Sequence, residues 1–394
     1  MAFATIGTKG IEDAAIATAD IADNAVTSAK TSGIPARPNA QALIINGSMA
    51  VAQRGTSTAS VTTASYPACD RWNFAISSGG TWTVSQDTDV PSGEGFSTSA
   101  KYDCTTAQGT LGAAAYIQHR QSIEGQNLQL LKKGTSNAET VTISFWVKAT
   151  KTGTNILELY DNTNNRQCSQ SYTISSSDTW EKKVVNFPAD TSGALANNNS
   201  GALNVQFYLG AGSNLSSGTL QTTWASYVNV NRAVGQVNHA DSTSNNFYIT
   251  GVQMEVGTYT SSTLLPFQHE TYGNNLLRCQ RYYHQVCKNQ GVADEGNYGM
   301  GITNNDDEGC HILMPFPTTM RTSPSSITQT GSAGDYGVRT TSTDTSTGVP
   351  VFANADRNSI QIKFVNSGHG FGTGKVCRGI TITTNSFIGV EAEL

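Results

Sequence analysis

Four stretches hold residue types that do chemistry, and each falls short of the spacing its chemistry needs. Gly368-His369-Gly370-Phe371-Gly372-Thr373-Gly374-Lys375 has the glycines and lysine of a phosphate-cradling loop. His369, however, stands where the first glycine belongs, and Val376 stands where Ser or Thr should follow the lysine, so nucleotide binding is not expected. Asn304-Asn305-Asp306-Asp307-Glu308-Gly309 and Asp161-Asn162-Thr163-Asn164-Asn165 offer oxygens to a hard cation, but neither has full calcium-loop spacing, and both read as turns. His284 lies near Cys279 and Cys287, and His311 follows Cys310, at separations that make no recognisable metal site. Glycan hydrolysis would need two carboxylates about 5–10 Å apart across a cleft. Glu124, Glu139, Glu158 and Asp161 are available without a pattern that pairs them, and no Gly-x-Ser-x-Gly elbow occurs. The expectation is a protein that is not an enzyme and uses no cofactor or metal.

The composition points to binding. Charged residues are 13% of the 394, about half the usual share, while 37% are hydrophobic, so Ser, Thr, Asn and Gly must cover the surface. Hydroxyls and amides bond well to sugars and to partner backbones. With 24 Lys+Arg against 29 Asp+Glu there is no general attraction for phosphate, and nucleic acid is not an expected partner. The seven cysteines lack paired zinc spacing and read as mostly reduced, buried thiols. No basic stretch followed by an apolar core opens the sequence, and no apolar run approaches the ~20 residues that span a bilayer. Assembly in a host cytoplasm, without membrane insertion, is expected.

The elements that would position a binding surface are β-strands. The first forty residues differ: Ile6, Ile11, Ile16, Ile21 and Val26 repeat every five positions. That period gives neither a helical stripe nor a strand face, but suits a β-solenoid turn or three extended chains wound together. An alternative is an Ala/Thr/Ser-rich tail that orders on a partner. Either way, residues 1–40 are read as a trimerisation and docking segment, ended by the Pro35/Pro38 linker. Leu43 to Val51 reads as two short strands around Asn46-Gly47. Val141, Ile143, Phe145 and Val147 alternate, as do Leu203, Val205, Phe207 and Leu209; 179–187 and 246–256 behave similarly. With all five tryptophans in this stretch, 41–270 is expected to form a jelly-roll sandwich with one aromatic-rich core. A short helix is expected over 271–290, capped by Asn274 or Asn275, with Leu276, Cys279, Tyr283 and Cys287 along one seam. That seam could meet other copies or pack on the sandwich. Residues 291–394, with strands at 359–364 and 379–383, are read as a smaller β domain. The fold class is all-β: repetitive fibrous segment, jelly roll, short helix, smaller β domain.

Three stretches, in order, resemble the tail fibres and related adhesins of tailed bacteriophages. They are Asn46 to Ser57 followed by Tyr66 and Asp70-Arg71-Trp72; Val141 to Lys148 with Thr179 to Lys182; and Ile249 to Gly257 followed by Pro266-Phe267, Tyr272-Gly273 and Cys279 to Tyr283. The resemblance covers roughly 44–283 and implies a carbohydrate-binding-module-like jelly roll within a trimeric fibre. Where the family often has an aromatic before Gln-Arg-Gly, this chain has Val51-Ala52. Arg54 and Asp70-Arg71 read as structural ties to the sandwich. The expected function is a homotrimeric virion protein that docks through its N-terminus to tail or baseplate proteins. At its C-terminal tip it would meet a host-surface glycan or protein, with Asp306, Asp307, Tyr336, His369 and Phe371 as candidate contacts. The rivals are an architectural virion component (head fibre, decoration or tail adaptor protein) and a polysaccharide-degrading tailspike.

Overall fold

The computed structural model describes residues 41–287, 296–304, 309–340, 344–365 and 372–394, with side chains omitted over 344–346. Residues 42–263 with 267–394 form one compact unit. Strands of the first sandwich are β1 (Ser57–Val61), β2 (Asn73–Ser77), β3 (Thr81–Asp87), β4 (Ser99–Thr106), β5 (Tyr116–Glu124), β6 (Val141–Ala149), β7 (Gly153–Asp161), β8 (Arg166–Ile174), β9 (Glu181–Phe187), β10 (Gly201–Ala211), β11 (Ala225–Ser226) and β12 (Asn246–Val256). They make two six-stranded antiparallel sheets, β1-β3-β4-β12-β6-β9 and β11-β8-β7-β10-β5-β2. The chain is all-β in the jelly-roll manner.

The period-two residues do what their spacing requires. Val141, Ile143, Phe145 and Val147 from one sheet meet Leu203, Val205, Phe207 and Leu209 from the other in a single core. Trp72 and Trp82 are buried in it and the partly exposed Trp224 packs against it, whereas Trp146 and Trp180 stay outside, which corrects the expectation of one core for all five. Trp146 alternates with inward Phe145 and Val147 on β6 and so faces out.

Leu43 to Val51 is not a hairpin. It is a buried turn, with Asn46 at φ 57° and Met49 at φ 59°. The Asn46 side chain replaces a partner strand, donating to the carbonyls of Val51 and Asp70 and accepting from the Val51 amide. Gly47 is required there: a Cβ would lie 2.1 Å from the Val252 carbonyl oxygen.

The helix is shorter than expected. α1 (Ser213–Ser216) is a single turn, and α2 spans Tyr272–Gln280 with Thr271 as its cap, its side chain accepting from the Asn274 amide. Tyr283 lies beyond it on β13 (Tyr283–Val286), because the chain pairs there with the last strand instead of continuing the helix. Cys279 is fully buried with Ile45, Val51 and Tyr282, so the seam packs on the sandwich.

The remaining strands are β14 (Asn297–Thr303), β15 (Cys310–Pro315), β16 (Ile327–Gln329), β17 (Tyr336–Arg339), β18 (Asp344–Ser346), β19 (Val351–Ala355), β20 (Ser359–Phe364), β21 (Val376–Thr381) and β22 (Ile388–Glu391). They form a seven-stranded sheet, β18-β17-β21-β14-β15-β20-β19, and a three-stranded one, β13-β22-β16, around a second core. Cys310 and Cys377 are joined by a disulfide across β14, which corrects the reduced-thiol reading for this pair. Gly301, opposite Cys377, is required on β14: a Cβ there would lie 1.7 Å from the His311 carbonyl oxygen. The other five cysteines are free, four of them buried.

The tail after β22 returns to the first sandwich. Arg71, 1% exposed, pairs with Glu393, and Arg54 Nη1 lies 3.2 Å from the same carboxylate. Tyr282 stacks 3.5 Å from the Arg71 guanidinium and Tyr283 3.6 Å from that of Arg54. The Arg-Gly, Asp-Arg-Trp and Arg-Tyr-Tyr motifs thus meet at one structural latch, and Asp70 is held separately by the Gln53 amide.

Candidate functional site

Strand β7 reads Asn-Ile-Leu-Glu-Leu-Tyr, so with Leu157 and Leu159 in the core, Glu158 and Tyr160 must face out. The same alternation turns Asn204 and Gln206 of β10 and Arg120 of β5 outward. Register then lines up Asn73, Arg120, Gln206, Glu158 and Ser169 in one row across five strands. Beside it runs Ser122, Asn204, Tyr160 and Gln167. Most of this outer face is covered: Asn73 is 8% exposed, Gln206 2%, and Glu158 and Ser169 0%, so among these residues only Arg120, Ser122 and Tyr160 keep partial exposure.

The connection after β11 adds Tyr227 and Arg232. Tyr160 and Tyr227 meet edge to face at 5.6 Å, and the Arg232 guanidinium lies 5.3 Å from each ring. Arg232 also grips Glu158 in a forked pair at 2.9 Å and 2.8 Å and donates to Gln206 at 3.1 Å. Tyr208 donates to Glu158 at 3.0 Å. Burial alone would lower the Arg232 pKa, but the Glu158 carboxylate outweighs it and raises it, so the guanidinium stays charged. Burial raises the Tyr160 pKa, keeping the phenol a neutral donor. Its hydroxyl donates to Asn165 at 2.7 Å, and that of Tyr227 to Asn229 at 2.7 Å. Two partly exposed rings, fixed by hydrogen bonds, can stack a pyranose face.

A second aromatic group lies on the outer face of the other sheet. Trp180 and Tyr248 meet at 6.2 Å, Lys148 Nζ sits 4.4 Å above the Tyr248 ring, and Trp180 donates to Asp89 at 2.9 Å. Its rings are occupied by the protein's own lysines.

Ile6, Ile11, Ile16, Ile21, Val26, Asp306, Asp307, His369 and Phe371 lie outside the described residues. Tyr336 is described and is fully buried: it accepts from the Thr330 amide, donates to the Phe387 carbonyl at 2.9 Å and packs on Tyr298. A ring without exposed surface cannot touch a receptor, so that assignment is corrected. Asp161 holds the Asn164 amide, and its charge is met by buried Lys133, which also reaches Asp190 and the Ser192 and Gly193 carbonyls. An ammonium thus occupies the oxygen cage of this loop. The acids singled out in sequence are all in ion pairs: Glu124 with Arg281, Glu139 with Lys132, Glu158 with Arg232 and Asp161 with Lys133.

No protein-family model matches the chain, and no curated protein sequence matches it. Among solved structures it is similar to the enzymatically active domain of tailspike protein 4 of bacteriophage CBA120, at 17% identity and TM-score 0.27 over 47% of this chain; the match spans 19% of that domain. It is also similar to a family 11 carbohydrate-binding module of a Clostridium thermocellum cellulase, at 12% identity and TM-score 0.26, covering 51% of this chain and 99% of the module. A tandem of family 22 modules from Paenibacillus barcinonensis Xyn10C shares 11% identity at TM-score 0.27, covering 91% of this chain and 99% of the tandem.

Proposed function

We propose that this chain is a non-enzymatic attachment protein of a bacterial virus particle, working as a homotrimer and binding a host-surface glycan through its jelly roll. The observation that supports the glycan reading best is the partly exposed Tyr160–Tyr227 pair held beside Arg232. Its chemistry suits a neutral or weakly polar saccharide, whose C–H surface the ring faces would meet. The virion and trimer parts of the reading are supported by the ordered motifs of the sequence and its five-residue repeat. Three shallow sites held together gain avidity without a deep pocket. The non-enzymatic part is supported by the acids, which are committed to cations and not left facing one another.

The test is adsorption of purified full-length protein to host cells and to purified host polysaccharide, with Tyr160→Ala/Tyr227→Ala beside it. The expected result is binding by the parent chain, at least tenfold weaker binding by the variant, and no loss of polysaccharide viscosity. No binding by the parent would favour an architectural virion role; falling viscosity would favour the tailspike rival.

A further inference from the structure

The seven-stranded sheet exposes an apolar stripe that nothing in the described chain covers. Met300 is 66% exposed, Val376 61%, Ile302 57% and Leu313 56%, all large aliphatic residues on strands in the middle of the sheet. Register makes them neighbours: Met300 stands opposite Leu313, and Ile302 opposite Val376. Val351, 44% exposed, extends the stripe through Lys363 and His311.

The exposure is built into β14. Tyr298, Met300 and Ile302 alternate and would share one face of a regular strand. Register slips between Asn297 and Gly299, where Gly299 adopts φ 147°. After this bulge Tyr298 points into the core, while Met300 and Ile302 point out. Without the slip both would follow Tyr298 inward.

We infer that this stripe is the contact between copies of the chain, three of them meeting along one axis. The inference rests on the trimeric part of the function proposed above. Met300, Ile302, Leu313 and Val376 form a contiguous aliphatic patch of the size, on the order of a few hundred Å², that is often functional on a protein surface. Gln361, Lys363, His311 and Arg378 stand in the same two rows and border the aliphatic residues with polar ones, an apolar centre and polar rim as in protein interfaces. Its shape selects the arrangement. Five strands at about 4.8 Å spacing make it roughly 19 Å long, but it is two residues, about 7 Å, deep along each strand. A narrow stripe closes a three-sided core around an axis better than it closes a broad pair of stacked sheets. Aliphatic side chains without an aromatic suit another protein surface and offer no ring for a sugar.

Two measurements on the full-length chain test this. Light scattering compares the parent with Met300→Glu/Ile302→Glu, with circular dichroism as the folding control; Leu313→Ser/Val376→Thr serves if the charged pair disturbs the sheet. Oxidation of Met300 by peroxide, followed by mass spectrometry, reads the stripe directly even if the N-terminal repeat also holds the copies together. Expected are a trimeric parent, Met300 protected at least tenfold relative to its rate in Leu313→Glu, and a loss or weakening of assembly in the stripe variants. A trimeric parent whose Met300 oxidises as fast as in Leu313→Glu overturns the inference and leaves the trimeric reading standing. A monomeric parent overturns both, and a monomer that sediments with phosphatidylcholine vesicles reassigns the stripe to a lipid surface.

Discussion

The outer faces of β7-β10-β5 and of β21-β14-β15 are built by the same alternation of side chains and end in opposite chemistry. One face carries Asn204 and Gln206, both buried, with Arg120 and two tyrosines partly exposed, nearly every polar atom tied to a neighbour. The other shows Met300, Ile302, Leu313 and Val376 with no apolar cover. Where the polar groups are satisfied and mostly covered, two fixed ring faces are left for a ligand to meet at little ordering cost, whereas bare aliphatic surface gains by leaving water. The first face suits something soluble that comes and goes; the second suits a permanent partner.

The largest way to break this contrast is to remove the charge that supports the polar face. Arg232→Ala leaves Glu158, 0% exposed, without its cation, and should cost about 3–5 kcal/mol. Urea unfolding read by tryptophan fluorescence would show it. Because the loss is in the jelly roll, Met300 oxidation in the folded fraction should not change.

Acid should separate the regions next. His119 and His239 are buried beneath the jelly-roll sheets, and burial brings each from 6.5 to about 3. As pH falls from 6.5 towards 3 the unfolded chain takes up protons that the native chain refuses, so stability is full above pH 6.5 and declines below it. The slope approaches about 1.4 kcal/mol per pH unit for each imidazole. Asp70 opposes this. Burial pushes its carboxyl from 3.8 to about 6, so between those values the native chain binds the proton first and gains stability as pH falls. Burial also brings His284 from 6.5 to about 4, so with three imidazoles against this one carboxyl the denaturant midpoint should drop between pH 6.5 and 4.5. His119→Gln should be less stable at pH 7 yet show a shallower decline; an unchanged slope would remove His119 from the account.

Much of this was legible in the sequence. Period-two runs gave the sheets and which residues face in, and the all-β class with a jelly roll follows from them. The same alternation placed Glu158 and Tyr160 outward, a signal that could have marked the site. Tyr227 and Arg232 were not legible, because they come from a connection whose path depends on contacts nearly 70 residues back in the chain. The Asn46-Gly47 turn misled because its partners are side chains from distant segments, Gln121 and Asn275, instead of an adjacent strand. Tyr336 misled because a tyrosine among polar loop residues gives no sign that its hydroxyl is satisfied inside. The helix ended early because Tyr283 to Val286 is claimed by β22, at the far end of the sequence.

The smallest expected stability effects lie on the two faces themselves, and they sharpen the contrast. Tyr160→Phe removes one hydrogen bond to Asn165 from a partly exposed ring and should cost about 1 kcal/mol or less. It keeps the stacking surface, so glycan binding should fall far less than in Tyr160→Ala. Leu313→Ser removes an outward side chain that is more than half exposed and meets only the equally outward Met300 beside it, so unfolding of a dilute, dissociated chain should shift by about 0.5–1 kcal/mol. At concentrations where copies associate the same substitution should lower the melting temperature, since anything that binds only the native state adds stability by mass action. Tyr160→Phe should show no such concentration dependence. A stripe whose loss matters equally at every dilution would be part of one copy's own fold, and the two faces would then differ in chemistry but not in role.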